Sequence, residues 1–350
     1  MKKVLAFVLS LVMVLSLVAC GKKDPAGDSN DEGTATDPIT IVFASIMSGD
    51  CLSNQTAKKF CELVKERSGG RIEVEFYPDC VLGNENECVQ MMKTNEIQMC
   101  YFGSNFGAIM CPAYDVTLVP YLMQNVEDVR NFYLNDEVMS PLIAAEIKEV
   151  ANCYLIGLNN RPAHQLSSNK EIHTPADLKG FQLRIPEVTA WSTVWGGMGA
   201  LPTVVAWSEC YSALQTGVVD GEENPIDTKY GNKIQEVVDY IIETNHVYDT
   251  WHWCINADFL DGLSAEDQEL IKTAAKDACD WGDAQVEATV AAQTKEFKDD
   301  YGIEFIPIDA KEFAAAATPY IKQYAEATWA PETVEWANKY LESYGLAPLS

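Results

Sequence analysis

Apolar positions along this chain fall into short alternating runs that take turns with longer stretches of helical spacing. Ile39, Ile41 and Phe43 recur at period two, which predicts a half-buried strand. Ala57, Phe60, Cys61 and Val64 recur at i, i+3, i+4 and i+7, the spacing of one helical face. Ser68-Gly69-Gly70 predicts the stop of that helix, since glycine adopts the left-handed conformation of a helix end without a steric penalty. Ile72, Val74 and Phe76 then alternate again. Strand, helix and strand in this order predict a parallel pair with a right-handed crossover. Thr174-Pro175-Ala176-Asp177 predicts a helix start, with a cap, a proline at the first position and an acid three residues after the cap. Ser264-Ala265-Glu266-Asp267 predicts another, whose buried face is supplied by Leu270, Ile271, Ala274 and Ala278. No internal repeat of about 20–50 residues is visible. The pattern predicts an α/β protein of two lobes with a cleft between them.

The first residues carry a different pattern. Lys2 and Lys3 precede an apolar run from Val4 to Val18 that only Ser10 and Ser16 interrupt. This is the layout of a secretory signal segment, too short for a stable span. It ends in Leu17-Val18-Ala19-Cys20 followed by Gly21, which resembles a bacterial lipobox. Residues 1–19 are therefore expected to be a lipoprotein signal peptide, with Cys20 the lipidated residue. Residues 20–37, polar apart from alanine and Cys20, are expected to be a flexible tether. That places the protein outside the cell, anchored by its N-terminal lipid to the outer face of the cell membrane.

Charge narrows the partners. The 350 residues include 25 Lys or Arg against 52 Asp or Glu, for a formal net charge of −27. Such a balance argues against nucleic acid, whose phosphates need clustered cations. Apolar residues make up 47% of the chain, ample for a core. Of eleven cysteines, the closest pair in sequence is Cys80 and Cys88, and no C-x-x-C occurs. The ten beyond Cys20 could form five disulfides, but Cys61, Cys100, Cys153 and Cys254 lie in apolar periodic segments and favour buried thiols. The motifs G-x-S-x-G, H-E-x-x-H and the P-loop are absent, and Gly197-Met198-Gly199 runs into Pro202 where a dinucleotide fingerprint needs glycine or alanine. His164, His173, His246 and His252 are widely spaced. No catalytic residue, metal or cofactor is expected. Acid pairs such as Glu222-Glu223 read as solvated surface.

The arginines are more informative. Arg67 and Arg71 flank a helix end, and Arg130 lies in a polar helical stretch. Arg161 and Arg184 each follow an apolar strand-like run. A cation at a strand end in an open α/β sheet faces the crevice where ligands bind, and a guanidinium pairs a carboxylate with two parallel bonds. Structural ion pairs with local acids are the alternative reading of both.

Longer motifs run through these residues. Thr174-Pro175-Ala176-Asp177-Leu178-Lys179-Gly180-Phe181-Gln182-Leu183-Arg184 resembles the T-P-x-D-L-K-G-x-K-x-R signature of the substrate-binding proteins of tripartite ATP-independent periplasmic (TRAP) transporters, the DctP-like family. The resemblance continues from Ser208-Glu209 through Leu214-Gln215-Thr216-Gly217 to Asp220-Gly221-Glu222-Glu223-Asn224-Pro225, and an earlier block joins Ser68-Gly69-Gly70-Arg71-Ile72 to Tyr77-Pro78 and Leu82-Gly83.

The resemblance implies a two-lobed periplasmic-binding-protein-like α/β fold, joined by crossing strands and a long connecting helix, that closes on an organic acid. Residues 38–160 and 250–290 would form the first lobe, and 161–249 with 291–350 the second. It implies that Arg184 grips the ligand carboxylate, that Asn224 supports that clasp, and that Arg161 is a second cationic contact. Trp207 would stand as an aromatic wall, with His246 near the cleft. Glu187 would hold a ligand hydroxyl or orient Arg184. Ser45, Asn84 and Ser104 are candidates of the first lobe by position. The chain departs from the family pattern at Gln98, where an aspartate is usual, which weakens any transfer of first-lobe contacts. The function expected is a monomeric extracytoplasmic receptor, not an enzyme, that hands a small organic acid to TRAP permease subunits. A sugar acid such as a uronate is favoured. A C4-dicarboxylate receptor and a sensory binding protein are the alternatives.

Overall fold

The computed structural model describes residues 37–103 and 105–349. Cys20 and the segment 1–36 lie outside the described residues, as does Ser104.

Eleven strands among these residues form two sheets. They are β1 (Ile39–Ala44), β2 (Ile72–Tyr77), β3 (Met99–Phe102), β4 (Cys153–Asn160), β5 (Gln165–Ser168), β6 (Gln182–Ile185), β7 (Leu201–Val204), β8 (Gly221–Asn224), β9 (Tyr240–Glu243), β10 (Thr250–Asn256) and β11 (Glu304–Pro307). The first sheet runs β2-β1-β3-β10-β4 and the second β11-β9-β5-β8-β6-β7. Helices cover both: α1 (Leu52–Arg67), α2 (Glu85–Lys93), α3 (Phe106–Met110), α4 (Val126–Leu134), α5 (Met139–Ala151), α6 (Thr189–Gly197), α7 (Trp207–Gln215), α8 (Ile226–Gly231), α9 (Ala257–Asp261), α10 (Ala265–Asp283), α11 (Val286–Asp299), α12 (Ala310–Thr328) and α13 (Pro331–Ser343).

The opening pattern folds as its periodicity predicts. β1 and β2 pair in parallel, Ile39 opposite Ile72, with α1 as the crossover. Phe60 of α1 meets Phe43 of β1 and Trp253 of β10 edge-on, with ring centroids 5.9 and 5.6 Å away. Fully burying one such ring contributes about 1.5–3 kcal/mol. Gly69 and Gly70 both hold positive φ, 64° and 84°, which a side chain would strain. Ser264 caps α10 by accepting from the Asp267 amide at 3.1 Å, and Ile271, Ala274 and Ala278 are buried.

The start expected at Thr174 differs. Asp177 accepts from the Thr174 amide at 2.8 Å, as a capped turn requires. The element stops as a single 3-10 turn over Pro175–Leu178, because Gly180 turns the chain with φ of 76° directly into β6.

Three passages join the lobes. The chain crosses between β4 and β5, returns between β9 and β10, and crosses again from α10, packed on α1 and β4, to α11, packed on α8. The long connecting helix is thus two helices with a break at Ala284 and Gln285. α12 packs on α6, but α13 does not stay with the second lobe as the grouping of 291–350 would have it. Trp336 donates to Asp136 at 2.6 Å and Tyr340 to Asp128 at 2.7 Å, so half-buried acceptors around α4 draw the last helix onto the first lobe. None of the described helices is long and apolar enough to cross a membrane. The ten described cysteines are free thiols, eight of them buried.

Candidate functional site

A cleft of about 380 Å3, part of it open to solvent, lies between the two sheets. Ile46, Met47, Glu85, Gly103, Asn105 and Trp251 line it from the first lobe. Arg184, Pro186, Trp191, Trp207, Glu223, Asn224 and Thr228 line it from the second, and Arg161 stands in the crossing between them.

The two arginines differ in their electrostatics. Arg161 lies flat on Trp251, its guanidinium 4.1 Å from the ring centroid. Gly103 permits this, because a Cβ there would stand 2.9 Å from Arg161 Nη1 and 3.0 Å from the Trp251 ring. Nη1 donates to Asp249 at 2.6 Å, and Nη2 donates to Thr228 Oγ1 at 3.1 Å and Asn224 Oδ1 at 3.3 Å. Burial alone would raise the Asp249 pKa, but the hydrogen bond from His164 and the Arg161 charge outweigh it and hold the carboxyl well below its usual range. Arg161 is therefore a neutralised cation.

Arg184 extends from β6. Its Nε donates to the Val205 carbonyl at 2.9 Å, and its guanidinium lies 5.4 Å from the Trp207 ring centroid. Among the described residues no acceptor pairs with its two terminal nitrogens, although the residue is only 3% exposed. The other arginines each have an acid: Asp277 for Arg67, Asp267 for Arg71, Asp283 for Arg130 and Asp249 for Arg161. Arg184 is thus the arginine, among the described residues, without an anionic partner. A cation held that deep at a cleft wall favours an anion brought from outside.

Acceptors face it. Glu85 begins α2 and takes a hydrogen bond from the Asn105 amide. Burial raises its pKa, against the Asn105 bond and the charge of Arg184. Glu223 is fully buried, yet among the described residues its Oε1 has no hydrogen-bond partner, and neither has Trp207 Nε1. Its Oε2 bonds His164 Nδ1 at 2.7 Å and His246 Nε2 at 3.3 Å. Burial works to raise the Glu223 pKa, but the two imidazoles prevail and bring it down to about 2. Burial in turn lowers His246 to about 4. One ligand atom from each of His164, Glu223 and His246 lies within 4.8 Å of the others, so this trio could hold a metal ion.

The structure brings Arg161, Arg184, Trp207 and Asn224 together at the cleft. Asn224 bonds Arg161 rather than Arg184, and its Nδ2 donates to Glu222 at 2.8 Å. His246 stands one layer back, behind Glu223. Ser45 is buried under Ile46 and Met47, bonded to Asn54 and Tyr101. Asn84 is an exposed cap for α2, accepting from the Glu87 amide at 3.0 Å, and the next residue, Glu85, lines the cleft instead. Glu187 is exposed beside Pro186, outside the lining.

Glu222 and Glu223 are not surface acids. β8 lies between β5 and β6 in the middle of its sheet, so both faces are covered and both residues are fully buried. Buried Lys229 compensates Glu222, with Nζ 2.5 Å from Oε1. Sequence reasoning also missed Glu85, Asn105, Trp191 and Trp251. The acid at the first position of a capped helix was the available signal for Glu85, since such an acid sits against the positive end of the helix.

The family model of bacterial extracellular solute-binding protein, family 7 (DctP) matches residues 43–328. A solute-binding protein of Roseobacter denitrificans is 31% identical over 265 residues, 75% of this chain and 79% of its own length. The C4-dicarboxylate-binding periplasmic protein DctP of Rhodobacter capsulatus is 28% identical over 294 residues, covering 83% of this chain and 87% of its own. The crystal structure of a TRAP periplasmic solute-binding protein from Roseobacter denitrificans with bound L-galactonate superposes with a TM-score of 0.80 at 27% identity, over 88% of this chain and all of that one.

Proposed function

The chain belongs to the family-7 bacterial extracellular solute-binding proteins, the DctP-like receptors of TRAP transporters, and from that premise we propose that it captures a sugar acid with a single carboxylate. As a receptor it binds its solute for a membrane permease and performs no chemistry on it. The observation that carries the ligand class is the set of groups in the cleft with hydrogen-bonding capacity to spare. Arg184 offers two terminal N–H donors to a carboxylate, Trp207 Nε1 offers a donor, and Glu223 Oε1 and Glu85 offer acceptors. A carboxylate bearing several hydroxyls satisfies all of them. An unsubstituted C4-dicarboxylate such as succinate lacks the O–H donors that the two glutamates need. Its second carboxylate would meet an arginine already bound to Asp249 at 2.6 Å. Three tryptophans in the lining suit the apolar face of a sugar ring or chain. The Roseobacter relative holds L-galactonate, which is consistent with this reading.

Arg184 is the carboxylate anchor, Arg161 and Asn224 form a fixed polar floor, and Trp207 is a wall. Cys20 carries the lipid that keeps the receptor at the outer face of the cell membrane. Calorimetric titration with galactonate, galacturonate, glucuronate and succinate tests the ligand class. Tight binding of at least one sugar acid with succinate at least about tenfold weaker is expected, and preference for succinate refutes it.

A further inference from the structure

We propose that His164, Glu223 and His246 form a binding site for one borderline divalent transition-metal ion, of the zinc type, beneath the solute cleft. The three residues come from three separate segments: the first crossing passage, the central strand β8, and the return passage before β10. Glu223 Oε2 lies 2.7 Å from His164 Nδ1 and 3.3 Å from His246 Nε2. A tetrahedral ion with bonds of about 2.0–2.1 Å needs its ligand atoms about 3.3 Å apart. The His246 side has that spacing, and the His164 side must open by about 0.6 Å.

The partners behind the ligands fit as well. A metal-bound imidazole donates its other N–H to a carboxylate, a carbonyl or a hydroxyl, which fixes the ring. His164 Nε2 lies 3.8 Å from Asp249 Oδ2. His246 Nδ1 lies 2.8 Å from Thr244 Oγ1. Loading the ion displaces the proton on the nitrogen that faces Glu223: at His246 it passes to Nδ1, which then donates to Thr244 Oγ1, and at His164, which already donates to Asp249, it leaves for solvent. Two histidines and one carboxylate are the donor set that zinc, cobalt and nickel take up, and with three protein ligands a fourth position stays open. Of the three ligands Glu223 lines the cleft, so the site is reached from that side. The site stands on these contacts and is independent of which organic acid the cleft holds.

The test uses the full chain without a polyhistidine tag, stripped with chelator and titrated with Co2+. Trp191 packs against His164 with ring centroids 5.9 Å apart, and Trp195 against His246 at 5.0 Å, so a paramagnetic ion should quench tryptophan emission. One equivalent of Co2+ with visible bands of four- or five-coordinate intensity, displaced by Zn2+, is expected. His246→Gln should abolish the bands. Thr244→Ala, which removes no ligand, should weaken binding about 10- to 100-fold. The Thr244 variant keeps the test decisive if loss of a buried histidine disturbs folding. Absence of binding by the wild-type chain would overturn the site, and so would binding as strong in both variants as in the wild type, which would place the ion on scattered surface carboxylates. Metal binding is read without any organic acid present, so its failure leaves the solute assignment standing, and the reverse.

Discussion

Replacing Arg184 by alanine should cost far more affinity for the solute than stability of the fold. The residue is 3% exposed and its guanidinium is positioned by two contacts, the Val205 carbonyl at 2.9 Å on Nε and the Trp207 ring. In the proposed bound state both terminal nitrogens would pair with the ligand carboxylate. Truncating one member of a buried, hydrogen-bonded charge pair costs about 2–5 kcal/mol, or roughly 30- to 4,000-fold in Kd. Long-range attraction cannot make up the loss, because a chain of net charge −27 repels an anion from afar. Arg184→Lys should recover little. Lysine keeps the charge but has no planar fork, and it gives up the bond that aims the group at the cleft. In the free protein Arg184 has no acid to leave behind, so the apo melting temperature should shift only slightly. Arg161→Ala behaves oppositely. It takes the arginine's charge away from Asp249, fully buried, and should destabilise the fold by about 3–5 kcal/mol before affinity is considered. Calorimetry with a sugar acid, paired with apo thermal denaturation, separates the two. An Arg184→Ala protein that is folded and binds within threefold of wild type would refute Arg184 as the anchor.

Lys229→Met should destabilise the protein by about 3–5 kcal/mol in denaturant titrations, since it leaves Glu222 buried without its cation. Adding Glu222→Gln should recover part of that loss, and additive losses would show that the pair is not coupled. Burial raises the Asp115 pKa from 3.8 to about 6 despite hydrogen bonds from Tyr324 and Trp329. A carboxyl raised in the fold favours folding while protonated. Its contribution is complete below about pH 4 and is lost as pH rises through about 6, at most about 3 kcal/mol. The difference in stability between wild type and Asp115→Asn, followed by thermal melts across that window, should change in this sense, and a constant difference would contradict it. Cys20→Ser should release the protein from cell membranes into the soluble fraction with an unchanged melting temperature, and retention in the detergent phase would contradict lipidation.

Local order was legible in the sequence wherever one segment carried the whole signal. The alternation of Ile39, Ile41 and Phe43, the helical spacing of Ala57 to Val64 and the glycines at 69 and 70 give β1, α1 and the turn into β2 without reference to the rest of the chain. The place of Arg184 at the cleft was legible for the same reason, as an arginine that follows an apolar run inside a long motif. Strand length, helix face and turn chemistry are properties of adjacent residues, and periodicity records them.

What an isolated segment cannot carry is who stands opposite. Arg161 reads like Arg184 in sequence, and only the fold sets Asp249, 88 positions away, against it and removes it as a free cation. Glu222 and Glu223 look like solvated acids until β8 is placed between two neighbours, which buries both faces at once. Thr174 begins a capped turn that the sequence predicts as a helix, and the demand of β6 for the next residues ends it. His164 and His246 are widely separated in the chain, yet Glu223 draws both rings to one oxygen. Burial, charge neutralisation and ligand geometry are fixed by partners from other segments, so these properties of the cleft were decided by the tertiary structure alone.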